Sequence, residues 1–373
     1  MVVFVDALGP AQLERFRERL GFLPHRRALD GVLGFSSGAL ASVLTGATPA
    51  EHGRMCLFTS RAPGSDGVLE PLRWLGLLPR VLHERGAVRR YVGRAFARAA
   101  GLTGYVALHR VPPDAFRWLD IPERDDIFAA SDIGGQPTFL ADARRAGLSV
   151  YAAKWQLPEA ERWLDAHQTL RSVTPDLAFL YSAELDAALH SHGNRGAATL
   201  EVIDRIASNI ARARELMSRG GGRVLTIVVG DHGMADVFDT VDPRDVVGRL
   251  ADVKLFVDST MLRVWGDAAA IATVQREVTR AHWPGRWLDA TALGERAAPV
   301  EGAPYGHAIF LLEEGVIFAP SWVGGRVAGM HGYDVSTTSA RAAVASDELL
   351  PEDCGSITAI AGVVRARLGL TGD

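Results

Sequence analysis

The sequence predicts an α/β fold built around a mostly parallel β-sheet. Residues 224–229 are apolar, mostly β-branched and end at Gly230, as expected for a buried parallel strand. A second apolar run, residues 2–5, opens the chain and ends at Asp6. Strand-like and helix-like segments alternate from Gly135 onwards, which favours βαβ units and therefore parallel pairing.

The composition is typical of a soluble globular protein, with 48% hydrophobic and 23% charged residues. The 373 residues allow one large α/β domain with insertions, or two domains. A net charge of −4 argues against bulk nucleic-acid affinity, so no nucleic-acid partner is expected. Cys56 and Cys354 cannot form a disulfide framework, and the first residues already resemble a strand, so we expect a cytoplasmic protein without a signal peptide. No apolar run reaches the roughly 18 residues of a membrane span.

The first strand is followed by an amphipathic helix, residues 11–20, which Pro10 opens. Asp6 lies at the carboxyl end of the strand, where ligands bind in open α/β sheets. Its side chain could equally cap the following helix.

Ser36 and Ser37 lie at the start of an apolar helix that stops at Thr45 and Gly46. Backbone N–H groups at a helix start favour an anion, so a serine hydroxyl there could meet a phosphoryl group. Serine is also a common helix cap, and these residues alone favour that simpler role. His52, beyond the helix, is interpreted as structural.

Residues 54–135 interrupt the α/β pattern with a basic segment. Between residues 71 and 100, Glu84 is the single acid among seven arginines and interleaved apolar residues. The arginines are Arg73, Arg80, Arg85, Arg89, Arg90, Arg94 and Arg98. This pattern suits an anionic membrane surface or a phosphorylated ligand, although the residues alone favour the simpler explanation, an inserted subdomain with a solvated basic face.

The second half of the chain contains most of the predicted elements. Helices are predicted over residues 136–146, 157–169, 200–219, 268–282 and 355–368. Strands are predicted over residues 148–153, 176–181, 253–257, 261–265, 308–312 and 316–319.

Three further segments offer acidic and imidazole groups. Asp186 and His190 are four residues apart and share one face of a helix, which makes a half-site for a divalent transition metal or a plain surface pair. His192 points elsewhere and is the weaker candidate. Asp231 and His232 follow the central strand, and His331 lies in a glycine-rich turn.

Together these side chains provide the kind of ligand set that a pair of divalent cations requires. Carboxylates and imidazoles are mixed, and two ions roughly 4 Å apart can hold both oxygens of an in-line phosphoryl displacement. The candidate ligands are Asp6, Asp186, His190, Asp231, His232 and His331. Nucleotide-binding glycine motifs are absent from the sequence. Residues 34–38 match Gly-x-Ser-x-Gly formally, but the supply of acids and histidines far exceeds one catalytic triad.

The sequence resembles the alkaline phosphatase superfamily, nearest to its type I phosphodiesterase/nucleotide pyrophosphatase branch. Five segments carry the resemblance in order: the opening strand with Asp6, residues 36–53, residues 184–186 with His190, residues 230–234, and residues 329–332. It implies a three-layer α/β sandwich like that of alkaline phosphatase. The predicted catalytic core is residues 1–53, 136–250 and 326–373, with a basic helical lid at 54–135 and a small α+β cap at 251–325.

The resemblance also implies roles for the candidate residues. Asp6, Ser36, Asp231 and His232 would hold one divalent ion, zinc or alternatively manganese. Asp186, His190 and His331 would hold a second. Ser36 lies nine residues before the Thr45 of Leu-Thr-Gly, the place of the family's nucleophile, where phosphodiesterases usually carry threonine; Ser37 is the alternative. The expected reaction is hydrolysis of a phosphodiester or pyrophosphate through a phosphoserine.

The sequence departs from the patterns of related families at two places, and several alternative functions remain open. The asparagine that usually follows the nucleophile by three residues is Ala39 here, so an arginine of the lid is expected to bind the phosphoryl oxygens. The proline and arginine that follow a sulfatase nucleophile are absent. The expected substrate is a small-molecule or lipid-linked phosphate ester. A phosphomonoesterase, a phosphonate hydrolase and a non-catalytic membrane- or partner-binding protein are the alternatives.

Overall fold

A computed structural model of the chain describes residues 1–79, 81, 84–250 and 252–370. The predicted basic segment therefore includes three residues, Arg80, Leu82 and His83, that lie outside the described residues. The chain forms two compact units. Unit 1 comprises Met1–Thr48, Phe128–Asp236 and Val327–Asp373, and unit 2 comprises Pro49–Ile127 and Val237–Arg326. The predicted division into core, lid and cap stays a prediction.

The strands are, in chain order, β1 (Val2–Val5), β2 (His25–Leu29), β3 (Thr59–Ser60), β4 (Leu119–Asp120), β5 (Asp132–Ile133), β6 (Gln136–Pro137), β7 (Val150–Ala152), β8 (Leu177–Ser182), β9 (Ile227–Val229), β10 (Ala235–Asp236), β11 (Asp239–Val241), β12 (Lys254–Val257), β13 (Met261–Trp265), β14 (Gly285–Leu288), β15 (Ala308–Leu312), β16 (Val316–Phe318), β17 (Gly329–Met330) and β18 (Ala342–Ser346).

The α-helices are α1 (Pro10–Arg15), α2 (Ser36–Thr45), α3 (Pro49–His52), α4 (Gly86–Ala99), α5 (Phe139–Arg145), α6 (Glu159–Ser172), α7 (Glu184–His192), α8 (Ala197–Ser218), α9 (Arg244–Arg249), α10 (Ala268–Arg280), α11 (Ala290–Gly294) and α12 (Ala359–Arg367). Three 3₁₀ helices span Glu70–Leu77, Pro113–Arg117 and Thr338–Ala340. Among the described residues, no helix is long and apolar enough to cross a membrane.

Unit 1 is organised around a six-stranded sheet in the order β2-β18-β9-β1-β8-β7. Strands β7, β8, β1 and β9 are parallel to one another, and β18 pairs antiparallel with both β9 and β2. The predicted mostly parallel α/β sheet is therefore confirmed. The sheet is fully buried at its centre, where all four residues of β1 are inaccessible to solvent, as their continuous apolar sequence predicts.

Helices cover both faces of this sheet. On one face, Ala178 and Leu180 of β8 share a core with residues of α1, α6 and α8. On the other face, Phe179 contacts Phe139 of α5, with ring centroids 5.8 Å apart. Because neighbouring strand residues point to opposite faces, this alternation produces the three layers.

The central strand is shorter than residues 224–229, and the reason lies in its neighbours. Strand β9 pairs with β1 from Ile227 opposite Val2, and with β18 from Ile227 opposite Ser346. Beyond Ile227 only isolated backbone contacts remain, from the Met1 amino group to the Leu225 carbonyl and from the Asp347 N–H to the Thr226 carbonyl, so no regular ladder continues. Helix α1 likewise ends at Arg15 instead of residue 20, although Phe16 and Leu20 remain buried in the core.

Unit 2 contains a four-stranded antiparallel sheet in the order β12-β13-β15-β14. Strands β13 and β15 have the bounds predicted for residues 261–265 and 308–312. Val274 and Val278 of helix α10 pack in the same core as residues of β12, β13 and β15. The predicted basic segment forms the 3₁₀ helix Glu70–Leu77 and helix α4, both in this unit.

His52 is buried, and its structural role leads to a pH prediction. Its side chain is 2% exposed, and its Nδ1 accepts a hydrogen bond from the Arg54 N–H at 3.1 Å. Burial, assisted by the nearby Arg54 charge, lowers the pKa of His52 from 6.5 to about 4. The unfolded chain therefore binds more protons between those pH values, and stability falls as pH drops from 6.5 to about 4, by on the order of 3 kcal/mol.

A His52→Asn variant should lose much of this acid sensitivity, because an amide oxygen can still accept a hydrogen bond but does not titrate in this range. Thermal melts of wild-type and variant protein across this pH range provide the measurement. Parallel melting-temperature curves would contradict the assignment of the acid response to His52.

Candidate active site

The sheet brings the first group of predicted ligands together. Strands β1 and β9 are neighbours with Phe4 opposite Val229, so Asp6 and Asp231 both emerge at the same carboxyl edge. Donor atoms of Asp6, Asp231 and His232 lie within 4.8 Å of one another. The Nε2 atom of His232 is 3.5 Å from Asp6 Oδ1 and 3.4 Å from Asp231 Oδ2. We call these three residues the first half-site.

Asp186, His190 and His331 form a second half-site, in which the donor atoms again lie within 4.8 Å of one another. The predicted helical spacing is present in α7, where His190 Nε2 lies 3.3 Å from Asp186 Oδ1. His331 Nε2 lies 3.7 Å from the same oxygen.

A short antiparallel pairing places the two half-sites side by side. Strands β10 and β17 pair with Ala235 opposite Met330, which positions His331 next to the loop that carries His232. The two imidazole rings stack with centroids 3.7 Å apart and an angle of 10° between their planes. The structure thus collects all six predicted ligands, although they span more than 300 residues of sequence.

Of the two candidate serines, Ser36 faces the first half-site. Its Oγ lies 3.0 Å from His232 Nε2 and donates to Asp6 Oδ1 at 3.3 Å. Ser36 is the first residue of α2, after the extended Phe35. The Oγ of Ser37 is buried and has no hydrogen-bond partner among the described residues.

The contacts of His232 do not match a Ser-His-Asp triad. In a triad, a carboxylate accepts from the imidazole nitrogen that points away from the serine. Here that nitrogen, Nδ1, faces the Gly233 carbonyl at 2.8 Å, and both carboxylates lie on the Nε2 side. Strand β2 also ends seven residues before Ser36, so the local chain is not a strand-to-helix elbow.

Backbone carbonyls orient two of the histidines. His232 Nδ1 is 2.8 Å from the Gly233 carbonyl, and His190 Nδ1 is 2.7 Å from the Gly329 carbonyl. A carbonyl can only accept, so each Nδ1 carries the proton when the ring is neutral. Each Nε2 then presents a lone pair towards the carboxylates, which is the arrangement of metal-ligating histidines.

The electrostatics of the site reflect six ionisable groups in a small volume. Burial, together with Asp231 and Asp186, raises the pKa of Asp6 well above its usual value. Burial also raises the pKa of Asp231 to about 8, against the opposing hydrogen bond from the Ala7 N–H. Burial lowers the pKa of His331, and the neighbouring histidines add to the effect. For His190, the Asp186 carboxylate outweighs burial and raises the pKa to about 9.

The residues fit divalent cations. Asp186 Oδ1, Asp231 Oδ2 and His331 Nδ1 are buried and have no hydrogen-bond partner among the described residues. Buried polar atoms without partners are costly, and clustered carboxylates repel one another. Bound cations would relieve both penalties, because each half-site offers mixed oxygen and nitrogen donors.

A family model for type I phosphodiesterase / nucleotide pyrophosphatase matches residues 35–334. The chain belongs to this family. The matched range includes Ser36 and five of the six candidate ligands, and Asp6 precedes it. The protein is therefore a phosphodiesterase/nucleotide pyrophosphatase-like hydrolase of phosphate esters, and its family is metal-dependent and acts on small phosphate-ester or nucleotide substrates.

Solved structures of the same family share the fold. Human ectonucleotide pyrophosphatase / phosphodiesterase 5 aligns with a TM-score of 0.67 and 14% identity, covering 100% of this chain and 96% of that one. The murine protein in an inactive form complexed with AMP aligns with a TM-score of 0.66 and 15% identity, covering 99% and 95% of the two chains. Comparison with curated protein sequences finds no match.

Sequence reasoning missed several contacts of this phosphodiesterase-family site. Tyr181, at the end of β8, donates to the outer oxygen of Asp6, with 3.5 Å between Tyr181 Oη and Asp6 Oδ2. The Phe35 ring meets His331 edge-on, with centroids 5.6 Å apart. A tyrosine at the end of an apolar strand was an available signal for the first contact. Nothing in the local sequence of Phe35 indicates the second.

Gly332 is required by this packing, and its replacement gives a testable effect. A Cβ atom at Gly332 would lie 2.5 Å from the Phe35 ring, and its φ of +83° is strained for other residues. Gly135 has a similar φ of +82° but open space around it. Gly135→Ala should therefore cost only the backbone strain of about 1–2 kcal/mol. Gly332→Ala should cost more and also lower activity, because it displaces Phe35 next to His331.

The melting temperature and the rate of phosphodiester hydrolysis of both variants provide the measurement. Equal losses of stability in the two variants, with activity retained in both, would mean that contact with Phe35 is unimportant.

Proposed function

We propose that the chain hydrolyses a phosphodiester or pyrophosphate bond of a small, nucleotide-like substrate through a phosphoserine formed at Ser36. The observation that carries the proposal is the position of the Ser36 hydroxyl. It lies within 3.3 Å of both an imidazole nitrogen and a carboxylate of the first half-site. Such a hydroxyl can lose its proton as it attacks, which serine in water does poorly.

In the first half-reaction, Ser36 Oγ attacks phosphorus and forms the new P–O bond. The bond to the leaving group breaks, and that alcohol or phosphate departs with the electron pair. The serine proton is released to water, because Asp6 Oδ1 and His232 Nε2, the two acceptors that contact the hydroxyl, would be occupied as ligands of a bound cation. The Tyr181 hydroxyl holds the Asp6 side chain in place, and the Gly233 carbonyl holds the His232 ring.

In the second half-reaction, water attacks phosphorus from the side that the leaving group vacated. The bond to Ser36 Oγ breaks, and the serine regains a proton. Asp186, His190 and His331 form the second half-site. We assign to them the orientation of the leaving group in the first half-reaction and of the attacking water in the second. The Gly329 carbonyl fixes the His190 ring for this task.

We propose that the six predicted ligands and Ser36 hold two divalent cations, with Asp6, Asp231, His232 and Ser36 at one and Asp186, His190 and His331 at the other. When bound, the cations would supply Lewis acidity and neutralise charge on the phosphoryl oxygens. Each half-site contains imidazole, which zinc accepts more readily than harder ions such as manganese do. Metal analysis of the purified protein tests this part of the proposal.

The phosphoryl oxygens need donors other than the side chain at position 39. Ala39 is 4% exposed and has no polar group to offer. Ser36 and Ser37 begin α2, and the first N–H groups of a helix have no intrahelical acceptor. These amides are the donors we propose for the oxygens, and the predicted lid arginine remains a second source.

The proposal is tested by comparing a diester with a monoester. The zinc-loaded enzyme should hydrolyse bis-p-nitrophenyl phosphate faster than p-nitrophenyl phosphate. The murine relative was complexed with AMP, so dinucleotides and nucleotide sugars form the first panel of natural candidates. A faster reaction on the monoester would instead identify a phosphomonoesterase, and cleavage of phosphonates alone a phosphonate hydrolase.

A further inference from the structure

Two exposed stretches of unit 2, close together in the sequence, carry unpaired positive charge and large apolar side chains. Helix α4 carries four arginines and no acidic residue. Arg90, Arg94 and Arg98 follow one another at intervals of four, so they share one exposed face of the helix. Tyr91 lies beside them and is 76% exposed. We call these four residues the basic face.

The charges of the basic face have no partner within the described part of the chain. No carboxylate there forms an ion pair with Arg90, Arg94 or Arg98. Like charges four residues apart destabilise a helix, so the stripe weakens α4 in isolation. The opposite side of the helix is committed to the interior, since Val92 and Phe96 pack against the core of unit 2.

The residues that precede α4 expose several large apolar side chains. In the 3₁₀ helix Glu70–Leu77, Leu72 and Leu75 are buried in the same core. Side chains three residues apart eclipse in a 3₁₀ helix, so Trp74 and Leu77 share its outer face. They are 57% and 77% exposed, and Leu78 and Val81, on the way to α4, are 40% and 62% exposed. Trp74, Leu77, Leu78 and Val81 form the apolar edge.

We propose that the basic face and the apolar edge dock together onto an anionic lipid membrane. Aliphatic side chains that insert at the headgroup boundary, beside arginines that meet lipid phosphates, are the two components of interfacial membrane binding. Nucleic acid would use the arginines but would leave Leu77 and Val81 in water. The positive charge favours an anionic membrane over a zwitterionic one.

Vesicle co-sedimentation of the full chain tests the proposal. The protein should bind vesicles of phosphatidylcholine mixed with phosphatidylglycerol, and bind phosphatidylcholine vesicles weakly. Binding should weaken as salt is raised, because exposed charges are screened. Each arginine near such a surface contributes about fivefold to binding, so Arg90→Gln/Arg94→Gln/Arg98→Gln should lose on the order of 100-fold. Trp74→Ser/Leu77→Ser should also bind less.

The matched control is Arg212→Gln/Arg219→Gln/Arg280→Gln, which removes the same charge from exposed positions elsewhere. It should bind nearly as wild type does. Equal losses in both triple variants, equal binding to the two lipid mixtures, or no binding to either would overturn the proposal. Competition by a duplex oligonucleotide at lower concentration than lipid would reassign the surface to nucleic acid.

Two further measurements separate this surface from the hydrolytic site. Ser36→Ala protein should bind vesicles as wild type does, whatever its activity. The Arg90/Arg94/Arg98 triple variant should hydrolyse a soluble reporter ester at the wild-type rate, because these three exposed arginines belong to the membrane surface and the lid arginine predicted at the phosphoryl oxygens is a different one. A loss there would assign these arginines to the substrate and remove the membrane proposal.

Discussion

Replacing Ser36 by alanine should lower the rate of phosphodiester hydrolysis by at least about 10⁴-fold, since loss of a serine nucleophile elsewhere costs on the order of 10⁶-fold. The smaller figure allows for water that the remaining ligands still orient. The variant should fold and bind metal, because α2 has no side-chain cap at its start and only two of the six other proposed ligands, Asp6 and His232, are hydrogen-bonded to this hydroxyl.

Ser37→Ala is the matched control, because it removes the same group one residue further along the helix. Its Oγ has no hydrogen-bond partner among the described residues, so activity should stay near that of wild type. Acid quenching of the wild-type enzyme during turnover should trap a phosphoryl group on the peptide that contains Ser36. If Ser36→Ala kept full activity, or if the phosphoryl group were found on Ser37, the assignment of Ser36 as the nucleophile would be wrong.

Replacing His190 by alanine should remove one of the two proposed cations and lower activity by at least about 100-fold, since even the loss of an outer-shell partner costs metal sites 10–100-fold. The His190 ring contacts Asp186 on one side and the Gly329 carbonyl on the other. Nothing else on α7 can replace its Nε2, so the second half-site would keep only Asp186 and His331. Metal content by elemental analysis, alongside the hydrolysis rate, gives the readout.

His192 provides the control for this variant. It lies two residues further along α7, is exposed, and belongs to neither half-site. His192→Ala should retain two cations and nearly full activity. If both histidine variants lost metal equally, or if His190→Ala kept both cations, the second half-site would have to be assigned to other residues.

The positions of the predicted ligands could be derived from sequence wherever a local rule applies. Strand ends place Asp6 and Asp231 at one edge of a parallel sheet, and a spacing of four places Asp186 and His190 on one helix face. His331 obeys no such rule. It reaches the site through the two-residue pairing of β10 and β17, which depends on chain segments almost a hundred residues apart.

The contacts that orient the histidine rings could not be predicted from the sequence, for a related reason. The carbonyls of Gly233 and Gly329 orient two imidazoles, but every residue has a carbonyl, and only tertiary structure determines which one faces a histidine. The length of β9 was also mispredicted from composition. A strand can extend only as far as its neighbours, and regular pairing starts at Val2 of β1 and stops at Ser346 of β18, both opposite Ile227.

The pairing of β10 with β17 has a consequence for how such an enzyme can diversify. The chain leaves unit 1 just after Asp236 and returns just before Gly329, and these two residues face each other across the pairing. An excursion whose two ends are adjacent can grow, shrink or be exchanged without moving the residues on either side. Residues 237–326 share a hydrophobic core with residues 49–127, so this junction should accept changes in length that leave that core intact.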